Sequence, residues 1–195
     1  MIHLTEKGKI RVFIIFLVAY LILFLIISIT NQDYEYIYYN LLIAGGFMIL
    51  IYFNKEIHLQ PYSILGLIIL GFLHLAGGNF LVGGFKLYQT SILSIPYDKI
   101  VHFVGSFIIT FIVYNLVKPF LEKKNRTKIY PAFFIVFLIS VGLGAMVEIV
   151  EFLATVIFER TIVGNYANNA LDLVANTLGA LIASGISVKH LIKKL

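Results

Sequence analysis

The chain has 195 residues, of which 60% are hydrophobic and 13% charged, and its mean hydropathy is +0.95. A soluble domain is about 25% charged, and a chain this short keeps much of its surface wet when it folds in water. The composition therefore excludes a soluble enzyme, a disordered chain and a nucleic-acid-binding module, and leaves an integral membrane protein whose outer face is solvated by lipid. There is no cysteine, which removes disulfide frameworks, thiolate nucleophiles, iron–sulfur clusters and sulfur-ligated zinc, and says nothing about redox compartment. The formal net charge is +5, and its distribution is more informative than its sum.

Apolar runs of about 20 residues mark membrane-spanning helices. Six occur, over residues 10–29, 37–53, 61–82, 100–117, 131–158 and 171–192. The first follows Lys7, Lys9 and Arg11. Its apolar core exceeds the roughly 7–15 residues of a signal-peptide h-region, and no A-x-A-like site follows, so it reads as a retained span. Between the first two runs, residues 31–39 are acidic and rich in tyrosine; Tyr34, Tyr36, Tyr38 and Tyr39 fit an interfacial aromatic belt. The third run opens on Pro61 and the fifth on Pro131, where a first helical turn tolerates the missing N–H. Gly77–Gly78 and Gly83–Gly84 bracket the end of the third run and predict a distorted helix end entering a flexible loop. Residues 119–130, after the fourth run, are basic. The fifth run is too long for one upright span, which predicts tilt or protrusion. In the sixth, Ala175, Gly179 and Ala183 form a small-residue face for close helix packing, and Gly142 and Ala145 do the same on the fifth.

Six spans put both termini on one side. Lys7, Lys9, Arg11, Lys55, Lys118, Lys123, Lys124, Arg126, Lys128, Lys189, Lys193 and Lys194, twelve of the 15 basic residues, fall on that side, leaving Lys86, Lys99 and Arg160 opposite. By the positive-inside rule this side is cytoplasmic. The expectation is an all-α, polytopic transmembrane bundle of about six helices, one integral membrane domain over residues 1–195, multi-pass in the cell membrane. The basic segments set orientation and can also touch anionic headgroups, at about 1 kcal/mol per residue.

Hydrocarbon penalises ionisable side chains, so those within spans face the bundle interior or a wet cavity. They are His74, Asp98, Lys99, His102, Glu148, Glu151 and Asp172, with Asn169 and Asn176 beside them. Asp98 and His102 stand at i and i+4, Glu148 and Glu151 at i and i+3, and Asn169, Asp172 and Asn176 at i, i+3 and i+7, so each set shares one helix face. His74 comes late in the outward third span, Asp98 to His102 open the inward fourth, and Asp172 and Asn176 open the sixth. Glu148 lies 17 residues past Pro131, about 25 Å along a helix. All four groups therefore fall at one level near the outer boundary, which predicts a single polar site.

Two histidines and up to four carboxylates (His74, His102, Glu148, Glu151, Asp172 and Asp98) make a plausible N/O ligand set for a divalent metal. Alternatively, Glu148 and Glu151 share one proton and divide the roles of acid and base. Lys99 can hold an anionic group such as a lipid phosphate, or neutralise the carboxylates. The bland readings are an interfacial His74 and a snorkelling Lys99, helix-start roles for Asp98 and Asp172, and an interhelical network that only specifies packing.

The run YDKIVHFVGSF at 97–107 resembles the D-K-x-x-H-F start of VanZ-like membrane proteins, and LDLVANTLGALI at 171–182 resembles their D-x-x-x-N-x-x-G segment, with Glu148 between as their central glutamate is. Glu151 stands where the VanZ pattern has Gln; the Glu pair and the HLAGG run at 74–78 look closer to the YjdF-like inner-membrane proteins. The resemblance covers about residues 65–190. It implies the multi-span fold and the polar site. VanZ-like proteins are linked to glycopeptide resistance, and the likeness leaves the chemistry open.

Three readings follow. In the first, the chain is a membrane-embedded enzyme acting on a lipid or cell-envelope precursor. Glu148, Glu151, His102 and Asp98 then do the chemistry, and Lys99, Asn176 and Asn169 hold the substrate. In the second it is a carrier or proton-coupled binding protein using the same carboxylates as a relay. In the third it is a structural bundle. A carrier places its coupling residues near the midplane, whereas these cluster at one face, which favours the enzyme or a one-sided binding site.

Overall fold

The computed structural model describes residues 5–122 and 129–192, so Lys123, Lys124, Arg126, Lys128, Lys193 and Lys194 lie outside the described residues. The described chain holds six long helices: α1 (Glu6–Thr30), α2 (Tyr34–Ile57), α3 (Pro61–Asn79), α4 (Tyr97–Glu122), α5 (Ile129–Ile157) and α6 (Tyr166–Ile192). Each is long and apolar enough to cross a membrane. Large apolar side chains such as Ile15, Met48, Leu138 and Val156 are exposed along the helices, while Ser28, Asn40, Thr110, Ser140, Ser184 and Ser187 are buried. This distribution suits lipid as the solvent, because a polar side chain is stabilised facing protein rather than hydrocarbon. The chain divides into two compact units, residues 1–97 with 154–162, and residues 98–153 with 163–195.

The first unit contains α1, α2 and α3. Its centre is aromatic. Tyr20 and Phe24 of α1 pack on Phe72 of α3 at ring separations of 5.7 Å each, and Tyr20 Oη donates to the Ile68 carbonyl (3.1 Å) across a gap that Gly71 leaves open. Ser28 Oγ donates to Asn79 Oδ1 (2.9 Å), and Asn40 Nδ2 to the Leu21 carbonyl (3.1 Å), so these buried polar groups pair with neutral acceptors. Asp33 caps α2 through the Tyr36 amide. The aromatic segment at 31–39 turns inward as well as outward: Tyr36 and Tyr39 are buried and Tyr34 is exposed. Tyr36 lies against Gly78, where any Cβ would collide with the ring.

Helix α3 ends at Asn79 rather than at residue 82, and the connection to α4 is more ordered than the glycines predict. Two short hairpins form, β1 (Leu81–Val82) with β2 (Phe85–Lys86), and β3 (Ser91–Ile92) with β4 (Ile95–Pro96). Gly83 and Gly84 both take positive φ, the requirement of a two-residue hairpin turn. The second hairpin turns on Leu93 and Ser94, also at positive φ, without glycine to ease it. Gly77 and Gly78 remain helical, so the helix end is not distorted there.

The second unit contains α4, most of α5, and α6. Val113 and Tyr114 of α4, Ala132 and Val136 of α5 and Val188 of α6 are buried together. Ala175 and Ala183 are buried, and a Cβ on Gly179 would meet the Phe103 carbonyl, so the small-residue face of α6 admits the α4 backbone itself. On α5 the close approach occurs at Gly144, against Asn176; Gly142 faces open space, contrary to the packing role expected for it. Helix α6 begins five residues before the apolar run, because Asn165 Oδ1 accepts from the Asn168 amide (3.1 Å) and caps a polar first turn. Asp172 therefore sits in the second turn, too deep for a helix-start role.

Candidate functional site

The first turns of α4, the sixth turn of α5 and the first three turns of α6 bring their polar stripes together inside the second unit. His102 is central and only 6% exposed. Its Nδ1 lies 3.2 Å from Glu148 Oε1. Its Nε2 faces three carboxylates, Asp98 Oδ1 at 3.3 Å, Glu151 Oε1 at 3.6 Å and Asp172 Oδ1 at 3.6 Å. Glu148 and Glu151 thus approach different nitrogens of one imidazole, which connects them.

Lys99 forms the second node. Its Nζ donates to Asp172 Oδ1 (2.6 Å), Asn168 Oδ1 (2.8 Å) and Asp98 Oδ2 (2.9 Å), and lies 3.2 Å from the Asn168 carbonyl. The Asn168 amide nitrogen donates in turn to Asp172 Oδ2 (2.8 Å) and Asp98 Oδ2 (3.3 Å). Asp172 is fully buried, and such a carboxylate is tolerable only when paired and hydrogen-bonded. Lys99 and Asn168 provide both, so the Lys99 ammonium serves the cluster's own carboxylates.

A third link runs through α6. Asn176 Nδ2 donates to Glu148 Oε1 (3.1 Å), and its Oδ1 accepts from Ser106 Oγ (3.0 Å). Glu148 is 7% exposed, yet its Oε2 has no hydrogen-bond partner among the described residues. A buried carboxylate oxygen without a donor is an open accepting position beside His102.

The structure thus gathers Asp98, Lys99, His102, Glu148, Glu151, Asp172 and Asn176. His74 belongs to the first unit, where its Nδ1 lies 2.8 Å from Tyr88 Oη and its ring meets Tyr39 edge-on at 4.8 Å. Asn169 is half-buried, and the adjacent Asn168 is the residue whose side chain enters the cluster. Asn168 and Ser106 were not anticipated. Both carried a signal: Asn168, Asp172 and Asn176 repeat at four residues, and so do Asp98, His102 and Ser106.

Chemically, the arrangement offers an imidazole bracketed by carboxylates, one carboxylate oxygen free to accept, and a fixed ammonium that balances part of the negative charge. It suits proton transfer and the binding of a cation. No curated protein and no solved structure matches the chain. A family model of predicted membrane proteins matches residues 11–193, a wider stretch than residues 65–190. The chain belongs to this family, the predicted membrane proteins DUF2238.

Proposed function

We propose that this multi-pass membrane protein is an enzyme of the cell membrane acting on a lipid or cell-envelope precursor, and that its reaction site is the His102 cluster. The observation that carries this reading is the unmatched Oε2 of Glu148, buried beside His102. A network serving packing alone gains nothing from a desolvated carboxylate oxygen without a donor, which costs about 1–3 kcal/mol or more. A group that must take or give a proton needs an open position. In this reading Glu148 transfers the proton, His102 and Asp98 orient and relay, and Glu151 completes the acidic wall. Lys99 and Asn168 hold Asp98 and Asp172 in place. The charge distribution supports cytoplasmic termini, and with them an outward-facing site at the N-terminal ends of α4 and α6. The segments that resemble VanZ-like and YjdF-like proteins carry Asp98, Lys99, His102, Asp172 and Asn176, five members of the cluster.

The reading is tested in proteoliposomes made from a total bacterial lipid extract supplemented with polyprenyl phosphates. Lipids are compared by mass spectrometry with and without the full-length protein. The expected result is depletion of one lipid class with a matching product, absent with Glu148→Gln. An unchanged lipid profile overturns it.

A further inference from the structure

We propose that the cluster binds one divalent transition-metal ion, ligated by His102 Nε2 with carboxylate oxygens of Asp98 and Asp172 and with a fourth position open; this rests on reading the cluster as a reaction site. Three features of the geometry converge on it. First, the two oxygens stand 3.3 and 3.6 Å from Nε2. In a tetrahedral zinc-type site with bonds of about 2.0–2.2 Å, neighbouring ligand atoms are about 3.3–3.6 Å apart. The donor atoms of Asp98, His102 and Asp172 all lie within 4.8 Å of one another. One nitrogen and two oxygens from α4 and α6 therefore already have the spacing of three ligands of a tetrahedral site, with the fourth position open.

Second, the surroundings are those of a metal centre. A ligating histidine usually donates its other ring N–H to a carboxylate, which fixes the tautomer. Glu148 Oε1 lies 3.2 Å from His102 Nδ1, and Asn176 holds that oxygen from the other side. With Nδ1–H directed at Glu148, the Nε2 lone pair faces three carboxylates, an arrangement that calls for a cation between them. The ligating carboxylates have outer partners of their own, Lys99 on Asp98 and Asp172, and Asn168 on both.

Third, the carboxylates of the cluster outnumber its cationic groups. Four carboxylates surround one ammonium and one imidazole. With a neutral imidazole that is three negative charges in excess, within helices that cross a membrane, and a dication removes most of it. Independently of the cluster's charge, Glu148 Oε2 is buried without a donor. With three protein ligands the ion would keep a fourth position for a water, the group whose pKa a bound metal lowers to near neutrality.

The test uses the full chain, purified in detergent with its affinity tag removed, stripped with chelator and titrated with Co2+ as probe and with Zn2+ as competitor. The expected result is one equivalent of Co2+ with the intense visible absorption of four-coordinate cobalt, displaced by Zn2+. His102→Gln and Asp98→Asn should each reduce uptake at least tenfold at an unchanged elution profile, and His58→Gln, at an exposed histidine, should leave it unaltered. Wild type that takes up less than a tenth of an equivalent overturns the proposal, as does full uptake by both cluster variants. Should His102→Gln fail to fold, Asp98→Asn decides alone. The two readings fail separately. Lipid turnover that persists in metal-stripped protein removes the ion and keeps the enzyme. Stoichiometric cobalt with an unchanged lipid profile keeps the ion and removes the enzyme.

Discussion

The two units meet the same demand with different side chains. Each must bury backbone and polar groups among three long helices with lipid outside. The first does so mostly with rings and neutral hydrogen bonds: Tyr20 to a carbonyl of α3, Ser28 to Asn79, Asn40 to a carbonyl of α1, with the buried carboxylate of Glu35 accepting from the Ile162 amide (2.9 Å). Its Lys86–Asp33 ion pair (2.6 Å) lies outside the helical interior and is partly exposed. The second unit gathers four carboxylates of α4, α5 and α6 around one imidazole and one ammonium, with His102, Glu148, Glu151 and Asp172 buried. Replacing buried ion pairs by well-packed apolar groups is often neutral or stabilising, and the first unit holds its three helices largely with rings. The charged interior of the second unit is therefore better explained by chemistry than by packing.

The comparison sharpens when each unit is perturbed in its own currency. Lys99→Met should have the largest effect on stability, about 3–5 kcal/mol, because it strands Asp98 and fully buried Asp172 without their cation. Unfolding in detergent by increasing denaturant measures it. Adding Asp172→Asn to Lys99→Met should recover part of the loss, since the pair is coupled, and a Lys99→Met protein as stable as wild type would show that the pairing contributes nothing. Gly179→Ala comes next, at about 1–3 kcal/mol, because its Cβ would meet the Phe103 carbonyl rather than a flexible side chain. Gly142→Ala, facing open space, is the near-neutral control. Tyr20→Phe should have the smallest effect, about 0.5–1.5 kcal/mol for one hydrogen bond to a carbonyl, and should leave lipid turnover and cobalt uptake unchanged. Loss of either in Tyr20→Phe would break the division of labour.

The six helices were legible because length and hydropathy alone specify a span. Their ends were less so. The polar first turn of α6, residues 166–170, contributes nothing to an apolar run, and only the Asn165 cap reveals it. The Gly83–Gly84 turn carries the mark of a tight hairpin, whereas Leu93 and Ser94 are poor candidates for positive φ and conceal theirs. Within the site, i and i+4 spacing found Asp98 and His102 but could not choose between Asn168 and Asn169. Both fall near the Asp172 face, and the choice was made by Lys99, 69 residues away, whose Nζ donates to Asn168 Oδ1. The role of Lys99 was hidden for the same reason: a lysine that holds a substrate anion and one that balances two carboxylates look alike until the carboxylates are placed. His74 shares the polarity of the cluster, and its ring is taken instead by Tyr88, Tyr36 and Tyr39.

The central claim, that the charged interior of the second unit does chemistry, is tested most directly by Glu148→Gln. Glutamine keeps the size and one acceptor of Glu148 while removing its ability to take a proton. Its turnover of the depleted lipid class should be compared with wild type at equal amounts of monodisperse protein in the same liposomes. The account predicts a fall of about 10²–10⁴-fold, the usual contribution of a positioned acid or base, with elution and helical content unchanged. Turnover within twofold of wild type would contradict it.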